Sequence, residues 1–101
     1  MEETLPLRER MNLETARIHW RELERYFAGG KVIQVAPALD LTEVAACLAE
    51  DNVAQVKMWM AAAQVQLLDD ETAQRWAQEL PEDLWAVVVA PWVLVQQRTL
   101  S

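Results

Sequence analysis

Cys47 and His19 are the only cysteine and the only histidine in the chain, and they are the one pair that could serve as nucleophile and general base. The single serine is Ser101, at the last position, which leaves a Ser-His-Asp triad without a placed nucleophile. Cys47 stands between Ala45-Ala46 and Leu48, where a cysteine is ordinarily a small core residue. His19 precedes Trp20 on an amphipathic stretch. Packing is the expected role of both.

The acidic residues offer a second chemistry. Asp69-Asp70-Glu71 and Glu82-Asp83 flank one segment, with Asp40 and Asp51 earlier in the chain, and carboxylate oxygens are the ligands that Mg²⁺ or Ca²⁺ takes. No calcium-loop spacing links them, and acids at helix starts are explained as caps and dipole partners. A transition-metal site needs several His or Cys residues, of which there is one each. Phosphate cradles need glycine-rich loops ahead of a helix, whereas Gly29 and Gly30, the only glycines, follow one. No cofactor and no metal is expected.

Five tryptophans remain. Trp20, Trp59 and Trp76 fall on apolar helical stripes and fill a core in the plainest reading. Trp85 and Trp92 belong to the run from Leu84 to Val95, which carries no charge, hydroxyl or side-chain amide. Read as one strand bent at Pro91, the run gives these two opposite parity. One of them then faces a second layer, a cleft or another subunit, unless a bulge at Pro91 shifts the register. Trp85 and Trp92 are therefore the candidate interface or pocket residues, with Glu22, Arg25 and Gln96 as polar residues that could flank such a pocket.

The elements that must position these residues follow from periodicity. Leu13, Ala16, Trp20, Leu23 and Phe27 mark one stripe of a helix, beginning at Asn12 or near His19 and closed by Gly29-Gly30. Residues 31–36 read as a strand stopped by Pro37. Asp40 caps a second helix with Leu41, Val44, Ala45 and Leu48 on its buried stripe. Glu50-Asp51-Asn52 breaks the pattern, and Asp51 caps a third helix with Val53, Val56, Trp59, Met60 and Ala63 inward. Residues 64–68 form a short extended segment. Asp69 or Asp70 then caps a fourth helix with Ala73, Trp76, Ala77 and Leu80 inward, ended by Pro81.

The 84–96 run is too short, at ~18 Å as a helix, to cross a bilayer core of ~30 Å. Its valines and tryptophans mark it as strand, apolar on both faces. A tight hairpin at Ala90-Pro91 is not expected, because neither Gly nor Asn is there to supply a primed turn. The expected fold is α+β (or α/β): about four helices packed in two layers on a small sheet of strands near 31–36 and 84–96. Residues 1–11 read as a flexible polar tail and 12–101 as a single globular domain.

The formal charge of −7 over 101 residues disfavours nucleic-acid and anionic-membrane partners. A helix-turn-helix forced onto 52–63 and 71–79 has too long a connection and an acidic second helix. One cysteine forms no internal disulfide, and the acidic start, Met-Glu-Glu-Thr, is unlike a signal peptide, so a cytoplasmic location is expected.

The segments Trp20-Arg21-Glu22-Leu23, Gly30-Lys31-Val32-Ile33-Gln34-Val35 and Leu39-Asp40-Leu41, with Trp59, Trp76 and the run from Leu84 through Gln96, carry a resemblance. Through them the chain resembles a small bacterial family known only as domain of unknown function 2288, over nearly everything except the N-terminal tail. The family brings no assigned activity, cofactor or catalytic residue. The resemblance therefore implies a bacterial, cytoplasmic protein and transfers no site. The leading functional expectation is a small non-enzymatic protein-interaction or regulatory domain, homodimeric, because a two-faced apolar strand asks for cover. The alternative is a small-molecule-binding domain or small enzyme with a tryptophan-lined pocket.

Overall fold

The apolar run at 84–95 is two strands. In the computed structural model, which describes residues 7–98, Leu84–Val89 and Trp92–Gln97 pair antiparallel, with Val89 opposite Trp92. The loop is Ala90-Pro91 alone, joined by a cis peptide bond. The single bent strand is thus replaced by the tight hairpin that the residue types argued against. A cis proline at the third position of a four-residue turn reverses the chain with no positive-φ residue, so the absence of Gly and Asn did not exclude it.

Numbered in chain order, the elements are α1 (Leu7–Glu14), β1 (Ala16–Arg17), α2 (Trp20–Ala28), β2 (Val32–Val35), α3 (Leu41–Ala49), α4 (Val53–Ala61), β3 (Val65–Leu67), α5 (Asp70–Glu79), β4 (Leu84–Val89) and β5 (Trp92–Gln97). The fold is α+β. The strands form one sheet in the order β1-β4-β5-β2-β3, with β5 and β2 parallel and every other neighbour antiparallel. Of the polar tail read over 1–11, positions 1–6 lie outside the described residues, and from Leu7 the chain is helical with Met11 buried. The stripe from Leu13 to Phe27 is not one helix. It crosses from α1 through β1, and α2 starts after His19, the later of the two starts considered.

Helices cover both faces of the sheet, so there are three layers where two were expected. On one face Trp20 and Leu23 of α2 and Ala73 and Trp76 of α5 pack on Val32, Leu84, Ala86, Val93 and Val95. On the other, Met11 of α1 and Leu41, Val44 and Ala45 of α3 pack on Val35, Val65, Val87 and Leu94. A strand apolar on both faces needs cover on both, and here the same chain supplies it.

The helix starts are local chemistry. The Asp40 carboxylate accepts the Thr42 N–H at 2.9 Å and the Asp69 carboxylate the Thr72 N–H at 2.7 Å, each satisfying a donor the helix leaves unpaired. The break at 50–52 is present, but the cap of α4 is Asn52, which accepts the Gln55 N–H at 3.3 Å. Asp51, the expected cap, instead takes a left-handed φ of 60° that turns the chain out of α3. At the end of α2 it is Gly30, at φ 71°, that takes the left-handed position.

Candidate functional site

The hairpin undoes the parity argument for Trp85 and Trp92. Trp85 lies opposite Gln96 and Val89 opposite Trp92, so counting through the two-residue turn puts both indoles on one face of the sheet. Both are half-buried against the cluster under α1 and α3. Each carries a cation over its ring: Arg98 at 5.1 Å from the centroid of Trp85 and Lys31 at 5.4 Å from that of Trp92. They nevertheless line different recesses, one at each end of the hairpin.

Trp85 walls an open, charged cleft of ≈ 790 Å³ at the β1 end of the sheet. Three of its charged side chains have partners. Arg17 donates to the Glu82 carbonyl at 2.7 Å, Arg98 donates through Nε to the Gln96 side-chain oxygen at 3.1 Å, and Asp83 accepts from Gln97 Nε2 at 3.0 Å. Among the described residues no cysteine, serine or histidine lines it.

Trp92 walls a narrower recess of ≈ 280 Å³, with Leu94 and Ile33 as its floor, Val44 and Leu48 of α3 and Val56 and Met60 of α4 above, and β3 along its rim. No ionisable side chain among the described residues lines it, so it can bury apolar surface and these residues offer no group for proton transfer. The expected inward stripe of α4 is corrected here, because no residue of α4 is buried. Leu41, Val44, Ala45 and Ala46 of α3 occupy the place against the sheet, and α4 is left stacked on α3 and β3. Val53 (49%), Met58 (66%), Met60 (55%) and Leu67 of β3 (57%) are exposed, four of the six exposed large apolar residues among those described, so the exposure there is concentrated on this side.

The remaining candidates are dispersed. His19 ends the loop before α2 on one face of the sheet and Cys47 sits half-buried in α3 on the other, so the structure does not assemble a Cys-His dyad. Asp69 is spent as a cap: the Thr72 N–H, the Thr72 hydroxyl and then the Arg75 charge hold its carboxyl below the usual range, with slight desolvation acting the other way. Among the described residues no three His, Cys, Asp or Glu side chains converge. The segments 52–63 and 71–79 are separated by β3 and do not form a helix-turn-helix. Glu22 and Arg25 are exposed on α2, across the sheet from both tryptophans, and Arg25 lies over the Tyr26 ring at 5.1 Å. Gln96 is buried, with both ends of its amide bonded inside the fold. Ser101 lies outside the described residues.

The groove residues Val56, Met60 and Leu67 were not singled out as a site by sequence reasoning. The available signal was the composition of α4, whose only charge is Lys57 and whose apolar residues spread beyond one stripe.

The class of protein is therefore a small α+β domain with a five-stranded mixed sheet covered on both faces and an apolar groove at one sheet edge. Within that class the chain belongs to the family described as protein of unknown function (DUF2288), which matches residues 6–97. It is similar to a solved structure, the NMR solution structure of PA1075 from Pseudomonas aeruginosa, with 41% identity, a TM-score of 0.81, and coverage of 98% of this chain and 91% of that one. Comparison with curated proteins gave no match.

Proposed function

We propose that this chain is a small non-enzymatic interaction or regulatory domain that works as a homodimer, with α4 and the groove beneath it as the contact face. The observation that carries the reading is that α4 is an almost uncharged helix with no buried residue, over a groove with no ionisable lining among the described residues. Such a surface is costly to leave in water and suited to a partner. The separation of His19 from Cys47 across the sheet supports the non-enzymatic part. The domain is read as bacterial and cytoplasmic, supported by the Pseudomonas relative and the lone cysteine. Its net charge of −7 supports a protein partner over a nucleic acid or an anionic membrane.

Sedimentation equilibrium over micromolar concentrations tests this. The expected result is twice the chain mass, reduced to one chain by Met60→Glu with an unchanged circular dichroism spectrum. A wild-type protein that stays monomeric throughout overturns the proposal.

A second reading, a small apolar ligand held in the groove, is favoured by Trp92 in its wall. A ligand panel read by tryptophan fluorescence tests it: a dose-dependent change in the wild type that disappears in Trp92→Phe supports it, and no change sinks it.

A further inference from the structure

We infer that the two copies join through β3, pairing antiparallel with its own counterpart about a two-fold axis at Gln66 to make one continuous ten-stranded sheet; this rests on the homodimer reading above. β3 is the last strand of the sheet. Its bonds to β2 fix which backbone groups are spent. Ala36 N–H donates to the Gln64 carbonyl at 2.8 Å and Leu68 N–H to the Val32 carbonyl at 3.0 Å. By the alternation of an antiparallel ladder, Gln66, opposite Gln34, also turns its N–H and C=O toward β2. Val65 and Leu67 then turn theirs to the other side, where no described strand pairs with them, a template for another strand.

A second copy fits that template on three counts. First, an axis through Gln66 sets Val65 opposite Leu67 of the other copy, twice. Every outward N–H and C=O of Val65 and Leu67 is then paired, in an arrangement in which one surface is complementary to itself. Second, the edge from Gln64 to Leu68 is uncharged in a chain of net charge −7. The same register sets Asp69 and Asp70 opposite Ala63 and Ala62 of the other copy, so no acid meets an acid. Third, Val65 and Leu67 both line the groove rim, so the pairing joins the two grooves and extends the apolar contact to Met60. The opposite edge is unlike this one. β1 is two residues long and carries Arg17, whose guanidinium is held by the Glu82 carbonyl.

Hydrogen exchange and cross-linking on the full chain test the register. With rising protein concentration the Val65 and Leu67 amides are expected to slow at least about tenfold, roughly the change that one weak added interaction of 1.4 kcal/mol gives. The Gln66 amide, already bonded to β2, changes less. Gln66→Cys in a Cys47→Ala background places two thiols across a non-hydrogen-bonded pair with Cα atoms about 4.5 Å apart, inside the range a disulfide spans. Mild oxidation is expected to give a covalent dimer, whereas Glu24→Cys, exposed on α2, is expected to give none. A protein that sediments as a dimer, yet leaves the Val65 and Leu67 amides unprotected and Gln66→Cys uncross-linked, overturns β3 pairing while the homodimer reading stands. A protein monomeric at every concentration overturns both.

Discussion

The Gln96 side chain donates through Nε2 to the carbonyls of Ala36 at 2.8 Å and Leu39 at 2.6 Å, and its oxygen accepts from Arg98 Nε at 3.1 Å. These bonds tie the loop between β2 and α3 to the centre of the sheet, and therefore set where α3 begins. Arg98, fixed at the same oxygen, lies over Trp85, so one buried amide supports both the loop and the cation on that indole. Gln96→Leu keeps the bulk but leaves the Leu39 carbonyl without its donor and the Ala36 carbonyl with the Leu39 N–H alone, for an expected loss of about 1–3 kcal/mol. Gln97→Leu, one position on and half-buried, gives up a single bond to Asp83 and is expected to cost less, about 0.5–1.5 kcal/mol. Urea unfolding of the two variants checks the order. Equal losses would mean that the Ala36–Leu39 loop is held by something other than Gln96.

Among the elements, α5 and α4 are opposite cases. Trp76 of α5 is fully buried and meets Trp20 edge-on, with centroids 6.4 Å apart, so α5 is fastened to α2 by an aromatic pair in the core. Trp76→Ala is expected to destabilise by about 3–5 kcal/mol, the usual cost of such a cavity. Met58 of α4 is 66% exposed, and Met58→Ala is expected to move stability by no more than about 0.5 kcal/mol. Thermal unfolding at concentrations low enough to keep the chain monomeric reads both, and a Met58 loss rivalling that of Trp76 would mean α4 is buried after all. The contrast also marks how far each element was legible. Asp40 and Asp69 announced α3 and α5 because a cap is a local bond between near neighbours. The β4–β5 hairpin was hidden because Ala90-Pro91 reverses through a cis bond, which residue type alone does not reveal. The start of α2 was ambiguous because the three-and-four spacing runs unbroken through Ala16, a residue that is in fact in a strand. Ala63 and Leu80, at φ 58° and 48°, end their helices in left-handed positions that glycine would have marked.

At the scale of the whole molecule, the two-faced apolar strand argued for cover and the structure supplies it from both sides, so the case for a partner passes from the strand to α4 and β3. That transfer was not legible, because which of two apolar helices reaches the sheet is decided by packing: α3 brings Leu41, Val44, Ala45 and Ala46 against it, and α4 is left outside. It also fixes how association should respond to salt. Two copies each of net charge −7 repel, and among the described residues of the contact face only Lys57 of α4 offers an opposite charge, too little to offset this. At 0.01 M salt the screening length is about 30 Å, comparable to the 31 Å short axes of the molecule, so most charges on one copy are felt by the other. At 0.15 M it falls to about 8 Å, and only charges near the contact count. Apolar contact and backbone pairing are little weakened over this range, so the dissociation constant is expected to fall as salt rises toward 0.15 M and then level off. Sedimentation equilibrium at a series of sodium chloride concentrations reads this directly. If association instead weakens steadily with salt, opposite charges hold the copies together. The charged cleft at Trp85, with Arg17 and Arg98 beside Glu82 and Asp83, would then replace the α4–β3 face as the place where they meet.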